Sequence, residues 1–204
     1  YSGPDSAPDS SEVSPAPAPE AAEGADLIIS AGGVSVGEED HVRPAVEAEG
    51  QIDLWRVAIK PGRPLAYGRV GRHGPEGARA AVPGSFAHFI GLPGNPVAAL
   101  LSFLFVIDAA LQKMAGIIDP RPLPRIRARA GTAIRKRPGR QELLRVTLCY
   151  HESDNLPVAL PAGSQSSAQL RSVAEADGIA VLPEDLGPVA EGDRLDVVPL
   201  HGLL

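Results

Sequence analysis

Two cations three positions apart, Lys60 and Arg63, sit within the run Lys60-Pro61-Gly62-Arg63-Pro64. Two prolines and a glycine stiffen this run, and a stiff loop loses less conformational entropy on binding. The pair therefore reads as a fixed cradle for one oxyanion; the plainer reading is a basic turn at a strand end. A second loop runs Ala31-Gly32-Gly33-Val34-Ser35-Val36-Gly37-Glu38-Glu39-Asp40. Its glycines let backbone N–H groups approach a ligand and form an anion nest. Its closing acids could hold Mg²⁺ beside a bound phosphate. They could equally favour the start of the next helix electrostatically. We assign Glu38 and Glu39 to the helix start, while Asp40 keeps both readings. The third loop, Gly91-Leu92-Pro93-Gly94-Asn95-Pro96, opens a long apolar helix. Asn95 suits the N-cap and Pro96 the first helical position. Free N–H groups at such a start can hold an anion; the alternative is plain strand–helix punctuation.

Each loop needs a strand to aim it. Asp26–Ser30, Ile52–Ile59, Leu65–Val70 and His88–Ile90 are short apolar runs with strand character. A helix is expected from His41 to Glu49 and another from Pro96 to Ala115, stopped by Gly116. Residues 71–87, rich in Gly, Ala and Arg, read as a flexible hairpin insertion. The rhythm is that of an α/β domain whose three candidate loops follow the carboxyl ends of strands, where open α/β sheets bind ligands. Beyond the proline-rich linker 118–124 the rhythm changes to short strands: a basic stretch 125–134, Glu142–Tyr150, Val158–Pro161, Ile179–Leu182 and Leu195–Leu200. One helix, about Ala168–Ala176, interrupts them, with Ser166 or Ser167 as its cap. This second part reads as a small, barrel-like β domain.

Composition narrows the function classes. The net charge of −6 is carried mostly by residues 1–24, which hold five acids and no Lys or Arg. That segment is rich in Ser, Pro and Ala and is expected to be disordered. Residues 121–145 carry nine basic side chains and one acid, Glu142. Nucleic acid is not expected there, because with 4% aromatics a stacking surface is lacking; a charged strand edge explains the basic run. The helix after Asn95 is long enough to span a bilayer. Asp108, Gln112 and Lys113 interrupt it, and no membrane association is expected. One cysteine, Cys149, leaves no internal disulfide framework, and a cytoplasmic location fits. The chain opens on Tyr1 rather than Met and is read as part of a longer product.

Taken in order, these pieces resemble the molybdopterin molybdenumtransferases, the MoeA and gephyrin E-domain family. The resemblance rests on Gly-Gly-Val-Ser-Val-Gly-x-x-Asp at 32–40, Lys-Pro-Gly-Arg-Pro at 60–64 and Gly-Leu-Pro-Gly-Asn-Pro at 91–96. It continues with Pro-Gly-Arg-x-Glu at 138–142, Gly-x-Gln-x-Ser at 163–167 and Ala-x-Gly-x-x-Val-Leu-Pro around Asp177. It implies an α/β, three-layer, MogA-like molybdopterin-binding domain, here partial, over residues 25–118, and a C-terminal β-barrel domain over 121–202. It further implies insertion of molybdate into adenylylated molybdopterin with release of AMP, assisted by Mg²⁺ or another divalent cation, and a homodimer when full length. Gly32, Gly33, Ser35 and Asp40 would then line the pterin and adenylate pocket, with Asp40 near the metal. Lys60, Arg63 and the adjoining Pro64 would form the molybdate or phosphate cradle. Gly94 and Asn95 would meet the phosphate end of the pterin, and Arg140 with Ser166 or Ser167 would face molybdate from the barrel. Arg63 stands where many members carry Lys, and its planar fork changes oxyanion geometry. The family's two N-terminal domains, the first strand of its α/β domain and a Thr-Gly-Asp-Glu loop find no counterpart in this sequence. The chain is therefore expected to be the C-terminal part of an enzyme rather than a self-sufficient one. Two alternatives stand beside this: a non-catalytic scaffold of the same family, and a molybdopterin adenylyltransferase, against which the β-rich second part argues.

Overall fold

The computed structural model describes residues 18–32, 42–62, 64–73, 81–151, 155–163, 165–166 and 170–201. The first unit is a four-stranded sheet built from β1 (Leu27–Ala31), β2 (Gly50–Arg56), β4 (Pro64–His73) and β5 (Ala81–Leu92), in the order β1-β5-β4-β2. β1 is parallel to β5, and β4 is antiparallel to both β5 and β2. Hence β1, β2 and β5 run the same way, and their carboxyl ends share one edge. Alternation along the strands gives the sheet two apolar faces. Ala66, Val70, Ala87 and Phe89 face Ala22 of α1 (Ala18–Gly24) and Val46 of α2 (Val42–Glu49). On the other face Leu65, Ile90 and Leu92 pack with Ile107. The result is the three-layer α/β arrangement expected from the sequence.

The long helix forms the third layer. α3 (Pro96–Ser102) passes through a π-helical turn, Phe103–Ile107, into α4 (Asp108–Met114). Asn95 caps it as expected, its side chain accepting from the Ala98 N–H at 3.3 Å. At the far end Gly116 has φ +85°, its N–H reaches the Lys113 carbonyl, and the Ile117 N–H reaches that of Gln112. This pair of bonds satisfies the last carbonyls and ends the helix. The π-turn, in which the Asp108 N–H bonds back to the Phe103 carbonyl, inserts an extra residue and shifts the helix register. The helix carries two apolar stripes. Ile107, with Ala99, Val106 and Leu111 beside it, packs on the sheet. Val97, Leu101 and Leu104 enter the core of the second unit with Leu143, Ile179 and Val181. Pro96–Met114 is long and apolar enough to cross a membrane, and here its stripes are taken up by the sheet and the barrel.

That second unit comprises β6 (Ile126–Ala130), β7 (Gln141–Cys149), β8 (Val158–Pro161), β9 (Gly178–Leu182) and β10 (Arg194–Pro199). Pairing runs β7-β8-β6-β10-β9 and returns from β9 to β7, closing a five-stranded barrel. Ala128, Val146, Ala180, Leu182 and Val197 fill it. The two units are joined by more than the linker. The expected strand 52–59 is divided: β2 stops at Arg56, and β3 (Ile59–Lys60) pairs in parallel with the start of β7. The registers are Ile59 with Gln141 and Lys60 with Glu142, and the Gln141 N–H bonds the Ala58 carbonyl at 2.8 Å.

Three expectations need correction. The segment expected to be disordered through residue 24 is helical from Ala18, because Ala22 is small enough to be fully buried against the sheet. The Arg72 guanidinium then secures its end through the carbonyls of Ala22 and Ala25. The hairpin expected over 71–87 is not a separate insertion but a continuation of the sheet, since β4 extends to His73 and β5 begins at Ala81, the two pairing antiparallel. The helix expected over 168–176 is a single turn, α5 (Arg171–Ala174), with no side-chain cap at Leu170. Gly178 opens β9.

Candidate active site at the joint between the two units

Where β3 meets β7, a cleft of about 440 Å³ opens. Its lining includes Lys60 from β3, Gly62 from the loop after it, Gly94 and Asn95 from the turn before α3, Glu142 from β7 and Gln165. Two of the three loops singled out in the sequence thus converge with the barrel. The Gly32 N–H bonds the Leu92 carbonyl at 3.0 Å and Gly32 lies against Gly94, which brings the start of the Ala31–Asp40 loop alongside.

The charges are organised by one acid. The Glu142 side chain is only 8% exposed; its Oε2 lies 3.0 Å from Lys60 Nζ and its Oε1 3.5 Å from Arg140 Nε. Lys60 comes from β3, the strand that leaves the α/β sheet, and Arg140 from the turn before β7, so Glu142 holds cations from two distant segments in one place. Both cations remain accessible, with side-chain exposures of 52% and 33%.

The loops that carry these groups are pinned from behind. Gly62 has φ +120°, and a β-carbon there would stand 2.7 Å from Ser102 Oγ. Only glycine lets the Lys60–Pro64 loop lie this close to α3. Lys136, part of the basic run assigned to a charged strand edge, is buried instead. Its ammonium donates to the carbonyls of Arg140 at 3.0 Å, Leu186 at 2.9 Å, and Arg137 and Glu184 at 3.4 Å. This ties the turn bearing Arg140 to the loop after β9. The Gln165 amide acts as a short strand against β7: it accepts from the Arg145 N–H at 3.2 Å and donates to the Arg145 carbonyl at 3.0 Å. The fully buried Arg145 guanidinium donates to the Ser166 carbonyl at 3.2 Å. Burial pulls its pKa below the ordinary arginine value, from so high a starting point that it stays charged at neutral pH.

Of the residues expected at the site, the structure brings together Lys60, Gly94 and Asn95, with Arg140 joined through Glu142 and Gly32 adjacent. Pro64 opens β4 opposite Arg56. Ser166 is exposed beside Gln165, and its carbonyl is held by Arg145. Gly33, Ser35, Asp40, Arg63 and Ser167 lie outside the described residues. Sequence reasoning missed Glu142, Gln165 and Lys136 as site-building groups. The first two stood inside quoted motifs, and the clue for Glu142 was a single acid among nine basic residues.

Among the described residues no three His, Cys, Asp or Glu side chains cluster for a divalent cation. Glu142, the acid lining the cleft, is already matched by two cations. The expected ligand Asp40 is not among the described residues.

The profile of a probable molybdopterin binding domain matches residues 6–113, and that of the MoeA C-terminal region (domain IV) matches residues 127–200. A molybdopterin molybdenumtransferase of Haemophilus influenzae is 32% identical over 180 residues, covering 88% of this chain and 41% of that protein. Molybdopterin molybdenumtransferase 2 of Mycobacterium tuberculosis is 33% identical, over 85% of this chain and 40% of that one. Gephyrin of Dictyostelium discoideum is 28% identical, over 85% and 25%. The chain thus spans less than half the length of these relatives. The structure of the molybdopterin biosynthesis MoeA protein from Pyrococcus horikoshii superposes with a TM-score of 0.56 at 23% identity, covering 86% of this chain and 37% of that one. At that identity the likeness speaks for the fold.

Proposed function

Because the chain belongs to the MoeA and gephyrin E-domain family, we propose that its cleft is the oxyanion-handling part of a molybdopterin molybdenumtransferase. In this reading molybdate is inserted into adenylylated molybdopterin and AMP is released. The observation that supports it best is the meeting of Lys60, which lines the cleft, and Arg140, from the turn before β7, on the one carboxylate of Glu142 that lines it. Molybdate is a dianion and the departing AMP is anionic. Cations fixed beforehand stabilise such charge without reorganising during the reaction. Lys60, with Arg63 three residues on, is assigned to one side of the oxyanion and Arg140 to the other. Gly94 and Asn95 are assigned to the phosphate end of the pterin, beside the Gly32 loop. The Gln165–Ser166 segment closes the barrel side, held by Arg145.

The test is AMP release from adenylylated molybdopterin and molybdate, measured on the enzyme carrying its full family architecture. Lys60→Ala and Arg140→Ala should each slow release on the order of a hundredfold, as loss of a preorganised charge-stabilising group does. Undiminished release in both variants would overturn the assignment of the cleft.

A further inference from the structure

A carboxylate in an oxyanion cleft should repel the ligand, yet Glu142 lines this one. Its position is fixed by the fold. It sits in barrel strand β7, in register with Lys60 of β3, so its backbone cannot swing away. Each of its oxygens faces one of the two cations assigned to the ligand, Lys60 at 3.0 Å and Arg140 at 3.5 Å. The carboxylate is almost wholly covered while the cations are partly open, so a ligand reaches the cations first. We propose that Glu142 is an internal counter-anion that shares Lys60 and Arg140 with the bound oxyanion and keeps its affinity low.

The physical logic is a competition for charge. Lys60 and Arg140 alone present two positive charges; with Glu142 they present one. In a partly desolvated cleft, two uncompensated cations would hold a dianion tightly. Tight binding of the substrate alone adds nothing to the rate once the site is full. A site that must pass its oxyanion onward gains from a built-in competitor. The same carboxylate holds two long side chains in place before the ligand arrives, which lowers the entropy cost of binding.

The inference rests on the oxyanion reading of the cleft, and binding rather than turnover tests it. Isothermal titration of sodium molybdate into the full chain would compare the unaltered protein with Glu142→Gln, Glu142→Ala and Glu142→Asp at two ionic strengths. Circular dichroism would confirm that each variant is folded. Gln and Ala both remove the charge, one keeping the volume and one not, so loss of fold in either leaves the other. The charge-removing variants should lower the molybdate Kd on the order of tenfold and steepen its salt dependence. Asp, which keeps the charge, should stay within roughly threefold of the unaltered protein by the same reasoning. Unchanged or weaker binding in the folded charge-removing variants, with saturable binding in the unaltered chain, would overturn the counter-anion alone. No saturable binding in any of the proteins would overturn the oxyanion reading with it.

Discussion

Lys136 is the residue whose structural setting departs furthest from its type. An ammonium group with three N–H donors, it is 3% exposed and serves four backbone carbonyls. Lys136→Met keeps most of the volume and removes every donor, leaving four carbonyls without the charge they share. Loss of hydrogen bonds to a buried charge predicts destabilisation of about 3 kcal/mol, read as a lower urea midpoint at unchanged slope. Nothing in Arg135-Lys136-Arg137 as a sequence distinguishes the middle residue from its exposed neighbours. Its burial follows from the loop after β9 folding back over it, a contact some fifty residues away. Glu142 was hidden for the same reason: a carboxylate acquires its meaning from Lys60, 82 positions earlier. Asn95 was legible because its cap bond is local, three residues along the chain.

Elements that depend on local pattern came through in the same way. Capping and apolar spacing announce the helix from Pro96, and alternating apolar runs announce most strands. The division of 50–60 into β2 and β3 was not legible, since Ile59 and Lys60 pair with the barrel and not with the sheet they follow. The π-turn gave no signal either, because a run of apolar residues such as Phe103–Ile107 fits an unbroken helix as well. Gly62 shows what the loop between β3 and β4 demands. Gly62→Ala meets two penalties, the positive φ and the 2.7 Å approach to Ser102 Oγ, which together should cost about 1–3 kcal/mol. Pairing it with Ser102→Ala relieves the contact but not the backbone, so thermal melting of the double variant should recover only part of the loss. Complete recovery would mean that φ carries none of it.

At the scale of the molecule, one helix belongs to two cores. Leu101, fully buried, packs with the barrel residues Leu143 and Ile179, while Ile107, two turns on, packs with the sheet. The shared helix argues that the two units lose their structure together. Urea unfolding followed by far-ultraviolet circular dichroism and by fluorescence of Trp55, on β2, should give coincident transitions. Leu101→Ala should shift both by about 2–5 kcal/mol; separation of the two curves would show the units to be independent. The barrel also contributes something of its own to the whole. Four inward-pointing carbonyls are what a protein elsewhere offers a potassium ion, and here the positive charge is a side chain attached to the same polypeptide. The positive charge that holds the turn bearing Arg140 is therefore carried by the chain itself and does not depend on which alkali cation the buffer supplies.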